Sequence, residues 1–228
     1  AEYFKLDFLI SSIRNYVDGG KAIKYKSDYR TALFRKAMRT IRDAAGKDAV
    51  LLSCGAPVLE CAGIFNAQRV SCDIIWGKNK DFPSYWQIMQ NAAKTILYRS
   101  FYNGKVFLND PDGVVMRDYD IGDGFDCTYS EARFWATAVA FSGGSVLVNE
   151  ELEKIGPARR QLFEQLMPPL KIAGKAVDMF EDNQPSAAII KVDNNTSFLA
   201  LYNYSDSMCN VDFDLCRVGM ENSLIIKS

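Results

Sequence analysis

Short apolar runs punctuate this chain, and between most of them apolar residues recur every three to four positions. The runs fall at 3–10, 49–54, 67–72, 106–108 and 145–148. Four of them contain or run into a carboxylate or carboxamide: Asp7, Asp73, Asn109-Asp110 and Asn149-Glu150. Continuous apolar runs, rather than alternating ones, are what a parallel sheet covered on both faces requires. The intervening patterns predict helices. Ser27 is placed to cap a helix over 28–45, with Leu33, Ala37, Met38, Ile41 and Ala45 on one stripe and Gly46 to stop it. A second helix over 84–98 repeats the stripe through Trp86, Met89, Ala93 and Leu97. Thr128 and Glu131 form a capping box that opens a helix over 132–141, which Gly143-Gly144 closes. Pro157 suits the first turn of a helix running through Gln161 to Leu166, ended by Pro168-Pro169. Between Pro57 and Asn66 there is room only for a loop or a single turn.

Strand–helix units with polar residues at the strand ends predict an α/β fold, part of a (β/α)8 TIM barrel. A doubly wound sheet gives similar local patterns but usually brings a glycine-rich phosphate turn, and none follows the first strand. After Ala173 the texture changes to short strands at 187–192, 197–202, 209–213 and 223–226, joined by turns rich in Asn, Asp and Gly. The expected organisation is therefore a barrel portion over 1–173 and a short antiparallel β-domain over 174–228. Ala1 leads almost directly into an apolar run, so the chain is expected to begin inside an element, with any upstream targeting signal out of view.

Composition narrows the chemistry. A formal charge of -1 gives no field favouring nucleic acid, and no apolar run is long enough for a membrane-spanning helix. The histidine count is 0, which excludes Ser-His-Asp and Cys-His mechanisms, His-ligated metals and a histidine base. The six cysteines include no C-x-x-C pair; Cys54, Cys61 and Cys72 lie in or beside apolar segments, as reduced thiols of a cytoplasmic protein do. The acidic stretch from Asp110 to Asp126 departs from a calcium loop at its fifth position, its turn glycine and its terminal glutamate, and reads as a solvated loop.

Carboxylates remain as the chemical candidates. In an extended strand Tyr3, Lys5 and Asp7 share one face, opposite Phe4, Leu6 and Phe8, whose apolar side chains suit packing against outer helices. An ammonium beside Asp7 would keep it ionised, as a nucleophile needs, although a structural ion pair or a helix cap would use the same residues. Arg69, Ser71 and Asp73 also share a face, but on an ideal strand Arg69 and Asp73 lie about 13 Å apart, so one pocket holds both only if the chain bends. Trp76 follows closely and is suited either to wall a sugar site or to plug a loop. Two carboxylates at barrel strand ends with no histidine point to glycoside hydrolysis, which needs one ionised and one protonated carboxyl group.

Lys5-Leu6-Asp7, Cys54-Gly55-Ala56-Pro57, Arg69 with Asp73, Asn109-Asp110-Pro111-Asp112, and Ser130 to Arg133 followed by Ser142-Gly143-Gly144 occur in that order. Together they resemble the C-terminal part of a family-36 glycoside hydrolase, the α-galactosidase or melibiase group. The resemblance implies barrel strands four to eight followed by a β-sandwich, and retaining hydrolysis of α-galactosides by double displacement. It implies that Asp7 is the nucleophile and Asp73 the acid/base, with Lys5, Cys54, Gly55 and Arg69 lining the sugar subsite. Trp76 joins the substrate-binding candidates. In the family, upstream strands carry aspartate and tryptophan residues that grip sugar hydroxyls, and these precede the part matched here. No metal or organic cofactor is expected. The expected partner is a glycoside or oligosaccharide rather than nucleic acid or membrane, and a homo-oligomer is compatible with the sequence. An α-galactosyl transferase of the raffinose-synthase kind would keep the same carboxylates, and a non-catalytic sugar-binding or degenerate barrel fragment would keep the same fold.

Overall fold

The computed structural model describes residues 2–11, 30–74, 84–122, 124–125 and 127–220. Strands β1 (Tyr3–Leu6), β2 (Val50–Ser53), β3 (Ala67–Arg69) and β4 (Leu108–Asp110) pair in chain order in one parallel sheet. Helix α1 (Arg30–Ala45) lies between β1 and β2, α2 (Tyr85–Tyr98) between β3 and β4, and α3 (Tyr129–Ser142) after β4. Turns alone join β2 to β3, as the short interval there predicts. A fifth segment runs beside β4: Ser145 N–H donates to Asn109 O at 2.9 Å, and Val114 N–H donates to Leu147 O at 2.7 Å. Helix α4 (Pro157–Gln165) follows, and then β5 (Lys175–Ala176), β6 (Ala187–Lys191) and β7 (Ser197–Leu201) form an antiparallel sheet in that order. The architecture is a partial (β/α)8 barrel followed by an antiparallel β-domain.

Local chemistry sets the helix ends. Thr128 Oγ1 accepts from Glu131 N–H at 3.2 Å while Glu131 Oε2 accepts from Thr128 N–H at 2.7 Å, the reciprocal box read from the sequence. Ser84 and Gln87 make a second such box at the start of α2. Gly143 ends α3 in the left-handed region at φ 69°, where a side chain would be strained. The buried stripe of α1 runs through Phe34, Met38, Ile41 and Ala45 onto Leu51, Cys61, Ile64 and Phe65, so it is rotated from the expected one and leaves Ala37 exposed. A larger core joins α2 and α3 to the β-domain through Met89, Ile96, Trp135, Val139, Ile190 and Tyr202. Trp135 is wholly buried, and its indole N–H donates to Gly113 O at 2.9 Å. Among the described residues no helix is long and apolar enough to cross a membrane.

Several strands are shorter than the apolar runs that signal them. β1 ends at Leu6 rather than at residue 10, and Phe8, expected on the packed face, is 73% exposed with φ 52°. β3 stops at Arg69, where the chain turns into the site. β4 begins at Leu108, later than the run at 106–108, because its register with β3 runs from Ala67↔Leu108 to Arg69↔Asp110. The run at 145–148 forms no strand, only the Ser145 bond to β4 and the bridge between Leu147 and Gly113. No strand forms over 209–213; just upstream Asn203 folds the chain into a tight turn, accepting from Ser205 N–H at 2.9 Å and donating to Ser207 O at 2.7 Å. The pair Lys175–Ala176 forms β5 without an apolar run to announce it. The expected strand at 223–226 and the expected cap Ser27 lie outside the described residues.

Gly144 sits where a Cβ would run into the Asn109 carbonyl oxygen on β4. Gly144→Ala is therefore expected to destabilise the fold by about 1–3 kcal/mol, as overpacking does. At roughly 2–4 °C per kcal/mol for a chain of this size, thermal unfolding should show a drop of several degrees; an unchanged melting temperature would show that the fifth segment can move away from β4.

Candidate active site

Parallel register sorts the strand residues into layers. Lys5 pairs with Leu52, Leu52 with Ala67 and Ala67 with Leu108, so these four share the concave face of the sheet. One pleat further toward the strand C-termini, the same face carries Cys54, Arg69 and Asp110. The opposite pleat sends Gln68 and Asn109 to the outer side, where Gln68 bonds Ser53 and Asn109 Nδ2 donates to Arg99 O at 3.0 Å. Asn109 and Asp110 are adjacent in sequence, yet only Asp110 reaches the mouth.

Arg69 is the centre of that mouth. Its side chain is 4% exposed and meets three carboxylates: Nε is 3.1 Å from Asp110 Oδ2, NH2 is 2.8 Å from Asp112 Oδ1, and NH1 is 2.8 Å from Asp73 Oδ1. Burial works against the guanidinium charge, but Asp110 and Asp112 outweigh it and hold the group well above its ordinary value. Burial pushes the Asp112 carboxyl up, opposed by Arg69 and by the N–H groups of Ile74 and Gly113. The bend that an extended strand denies is thus present: Asp73 folds back onto Arg69, with its side chain 54% exposed at the rim.

Asp7 reaches the same mouth by a different device. The β1–β2 ladder runs through Cys54 N–H to Leu6 O at 2.8 Å and resumes with Leu9 N–H to Cys54 O at 3.3 Å and Ile10 N–H to Gly55 O at 2.8 Å, so Asp7 and Phe8 are looped out of it. The Asp7 carboxyl accepts from Phe8 N–H at 2.7 Å, and the Cys54 thiol beside it favours its ionised form. Partial burial tends to raise its pKa, but the thiol, the Phe8 N–H, Lys5 and Arg69 together hold it below the ordinary aspartate value. Burial and the bond to Asp7 push the Cys54 thiol up to about 12, so it stays protonated and acts as a donor. Gly55 has φ 58°, and a Cβ there would press on Phe8 Cα at 3.0 Å; glycine lets β2 end directly beneath the Asp7–Phe8 loop.

The structure thus gathers Lys5, Asp7, Cys54, Gly55, Arg69 and Asp73 at one end of the sheet. Trp76 lies outside the described residues. The acidic stretch read from the sequence as a solvated loop is corrected at its start: Asp110 and Asp112 are buried, and both carboxylates pair with Arg69. Tyr3, on the same face of β1 as Lys5, also joins the site: its hydroxyl pKa is raised first by burial and then by Asp110, with Arg69 opposing. Among the described residues no group of three or more Cys, Asp or Glu side chains is placed to hold a metal ion. The centre that the carboxylates surround is the arginine.

No family model matches the chain. Solved structures do resemble it. The α-galactosidase of Thermus thermophilus, in complex with p-nitrophenyl α-D-galactopyranoside, superposes with a TM-score of 0.54 at 24% identity, over 76% of this chain and 33% of its own. The α-galactosidase of Saccharomyces cerevisiae with raffinose gives 0.60 at 15% identity, over 89% and 48%. The α-galactosidase I of Mortierella vinacea gives 0.58 at 16% identity, over 87% and 51%. The chain therefore spans between a third and about half of the length of these proteins, and what it shares with them is the barrel-and-β-domain fold.

Proposed function

We propose that this chain carries the two catalytic carboxylates of a retaining α-galactoside hydrolase of the family-36 kind. The observation that supports this most directly is that one buried guanidinium, Arg69, bears on both Asp7 and Asp73 at the C-terminal end of a parallel barrel sheet. Asp7, held ionised by Cys54, Phe8 N–H, Lys5 and Arg69, attacks the anomeric carbon. The bond to the leaving oxygen breaks, its electron pair stays on that oxygen, and Asp73 supplies the proton. Asp73, now a carboxylate, takes a proton from water as that water attacks the anomeric carbon and releases Asp7. Lys5 orients sugar hydroxyls, while Arg69, engaged by three carboxylates, holds the carboxylates around it in place. The half-exposed position of Asp73 at the rim suits a group that must meet both a leaving group and water. The solved structures with p-nitrophenyl α-D-galactopyranoside and raffinose make α-galactosides the substrates to test first.

Two outcomes test this reading. Asp7→Ala should abolish turnover of aryl α-galactosides. Asp73→Ala should slow substrates with poor leaving groups by roughly 10²–10⁴-fold while sparing the first step for good ones. Azide should restore turnover to Asp73→Ala and give the α-azide; rescue of Asp73→Ala with a β-azide product would reverse the two roles. Parallel product analysis with an added acceptor sugar separates hydrolysis from transfer.

The Cys54 thiol lowers the Asp7 pKa, so removing it should raise that pKa. A nucleophile must be ionised, and activity is lost as pH falls through its pKa. Cys54→Ala should therefore move the acid limb of the kcat/KM profile to higher pH, and Cys54→Ser, which keeps a donor, should leave the limb close to its original position. Coincident limbs for all three proteins would remove the thiol from the site.

A further inference from the structure

The segment after β3 is held in its bend by the segment after β4, and the contacts converge on one residue. Val70 N–H donates to Asp110 O at 2.9 Å, and Ser71 Oγ donates to Pro111 O at 2.7 Å. Asp112 then uses its two carboxyl oxygens on the two ends of the bend. Oδ1 pairs with Arg69 NH2 at 2.8 Å, and Oδ2 accepts from Ile74 N–H at 2.8 Å. Asp73 lies between those anchors. Asp112 is itself fixed: its N–H donates to Asp110 Oδ1 at 2.9 Å, and its backbone takes φ 84°, a conformation that a non-glycine residue adopts only when its surroundings impose it. Its side chain is 12% exposed, against 54% for Asp73.

We infer that Asp112 is a positioning residue for Asp73: by tying Arg69 to the Ile74 backbone it sets the bend that presents the Asp73 carboxyl at the mouth. The inference rests on the reading of Asp73 as the acid/base. Asp112 does not touch the reacting atoms; it acts through Arg69 and through the chain. A displacement of about 1 Å in a catalytic group can cost on the order of 10²-fold in rate, and that loss should fall only on steps that need the displaced group.

The test is leaving-group dependence. kcat/KM would be measured for the protein, Asp112→Asn and Asp112→Ala on aryl α-galactosides running from dinitrophenyl to unsubstituted phenyl, with thermal unfolding of each. For Asp112→Ala the dinitrophenyl substrate should keep kcat/KM within about threefold, whereas the phenyl substrate should lose roughly 10²-fold. Azide should accelerate the variant on the dinitrophenyl substrate, where release of the glycosyl-enzyme is limiting. Asp112→Asn keeps the shape and an oxygen for Ile74 N–H but not the charge facing Arg69; it should show the same trend, less steeply, and it carries the test if the alanine variant does not fold. An equal loss on every substrate, or none, would overturn the inference and leave Asp112 as a structural residue. If the parent protein cleaves no α-galactoside, the functional reading fails separately. A crystal structure of Asp112→Asn then decides the geometry: Asp73 displaced from Arg69 supports the positioning role, and an unmoved Asp73 ends it.

Discussion

A guanidinium in the interior of the sheet is the constraint around which the mouth of this barrel is arranged. A buried charge is tolerated only when it is paired and its donors are occupied, and removing one partner of such a pair costs about 3–5 kcal/mol because the other is left stranded. Arg69 meets that condition with Asp110 from the neighbouring strand, Asp112 from the loop beyond it and Asp73 from its own following turn. One charge therefore dictates where three carboxylates lie. It fixes the β3–β4 register at Arg69↔Asp110, and it folds the chain back at residue 73. The excess of negative charge around it is tolerable because Asp73 alone of the three stands well into solvent.

The rest of the mouth follows from parallel register and one interruption of it. In a parallel ladder the partners share a face, so Cys54 and Arg69 fall in one layer without any special sequence between them. Asp7 would have fallen at the height of Cys54 had β1 continued. Looping Asp7 and Phe8 out of the ladder turns the carboxyl toward the thiol at the cost of exposing a phenylalanine. Gly55 makes room for that loop, and the protonated thiol occupies the acceptor that would otherwise be left to solvent. A cysteine serves here as a donor rather than as a nucleophile, which is consistent with a pKa of about 12.

What could be read from the sequence was local, and what could not be read was settled between distant segments. The box from Thr128 to Glu131 and the closing Gly143 need only a few adjacent residues, and both appear as read. Asp7 and Asp73 stand out as candidates because charged residues at the ends of apolar runs are conspicuous. β4 extends past the run of Val106, Phe107 and Leu108, which outshines the polar Asn109 and Asp110; these join the strand with Asn109 Nδ2 donating to Arg99 O and Asp110 paired with Arg69. The same holds for Asp112: its motif was plain in the sequence, but its two partners, Arg69 and Ile74, are far from it along the chain. The run at 209–213 shows the converse: with no neighbouring strand among the described residues to pair with, its apolar alternation does not make a strand.

The two halves of the mouth are anchored differently, and the difference bears on what each must do. The Asp73 half is set into the main core. α2 and α3, which flank β4 in the chain, pack on each other and on the β-domain through Trp86, Phe134, Tyr202 and Tyr204, with Gln90 Nε2 donating to Tyr204 O at 2.6 Å. The antiparallel sheet thereby braces the helices behind β3 and β4, and Arg69 and Asp110 inherit that rigidity. The Asp7 half rests on β1, which pairs only with β2 among the described residues and leaves Tyr3 and Phe4 partly in solvent. A nucleophile needs a depressed pKa, which a few short-range donors supply wherever the strand sits. A group that must give up a proton and take one back at the same point in space needs its position held through both steps. On the proposed assignment, the second requirement falls on Asp73, the carboxylate whose bend is tied into the core.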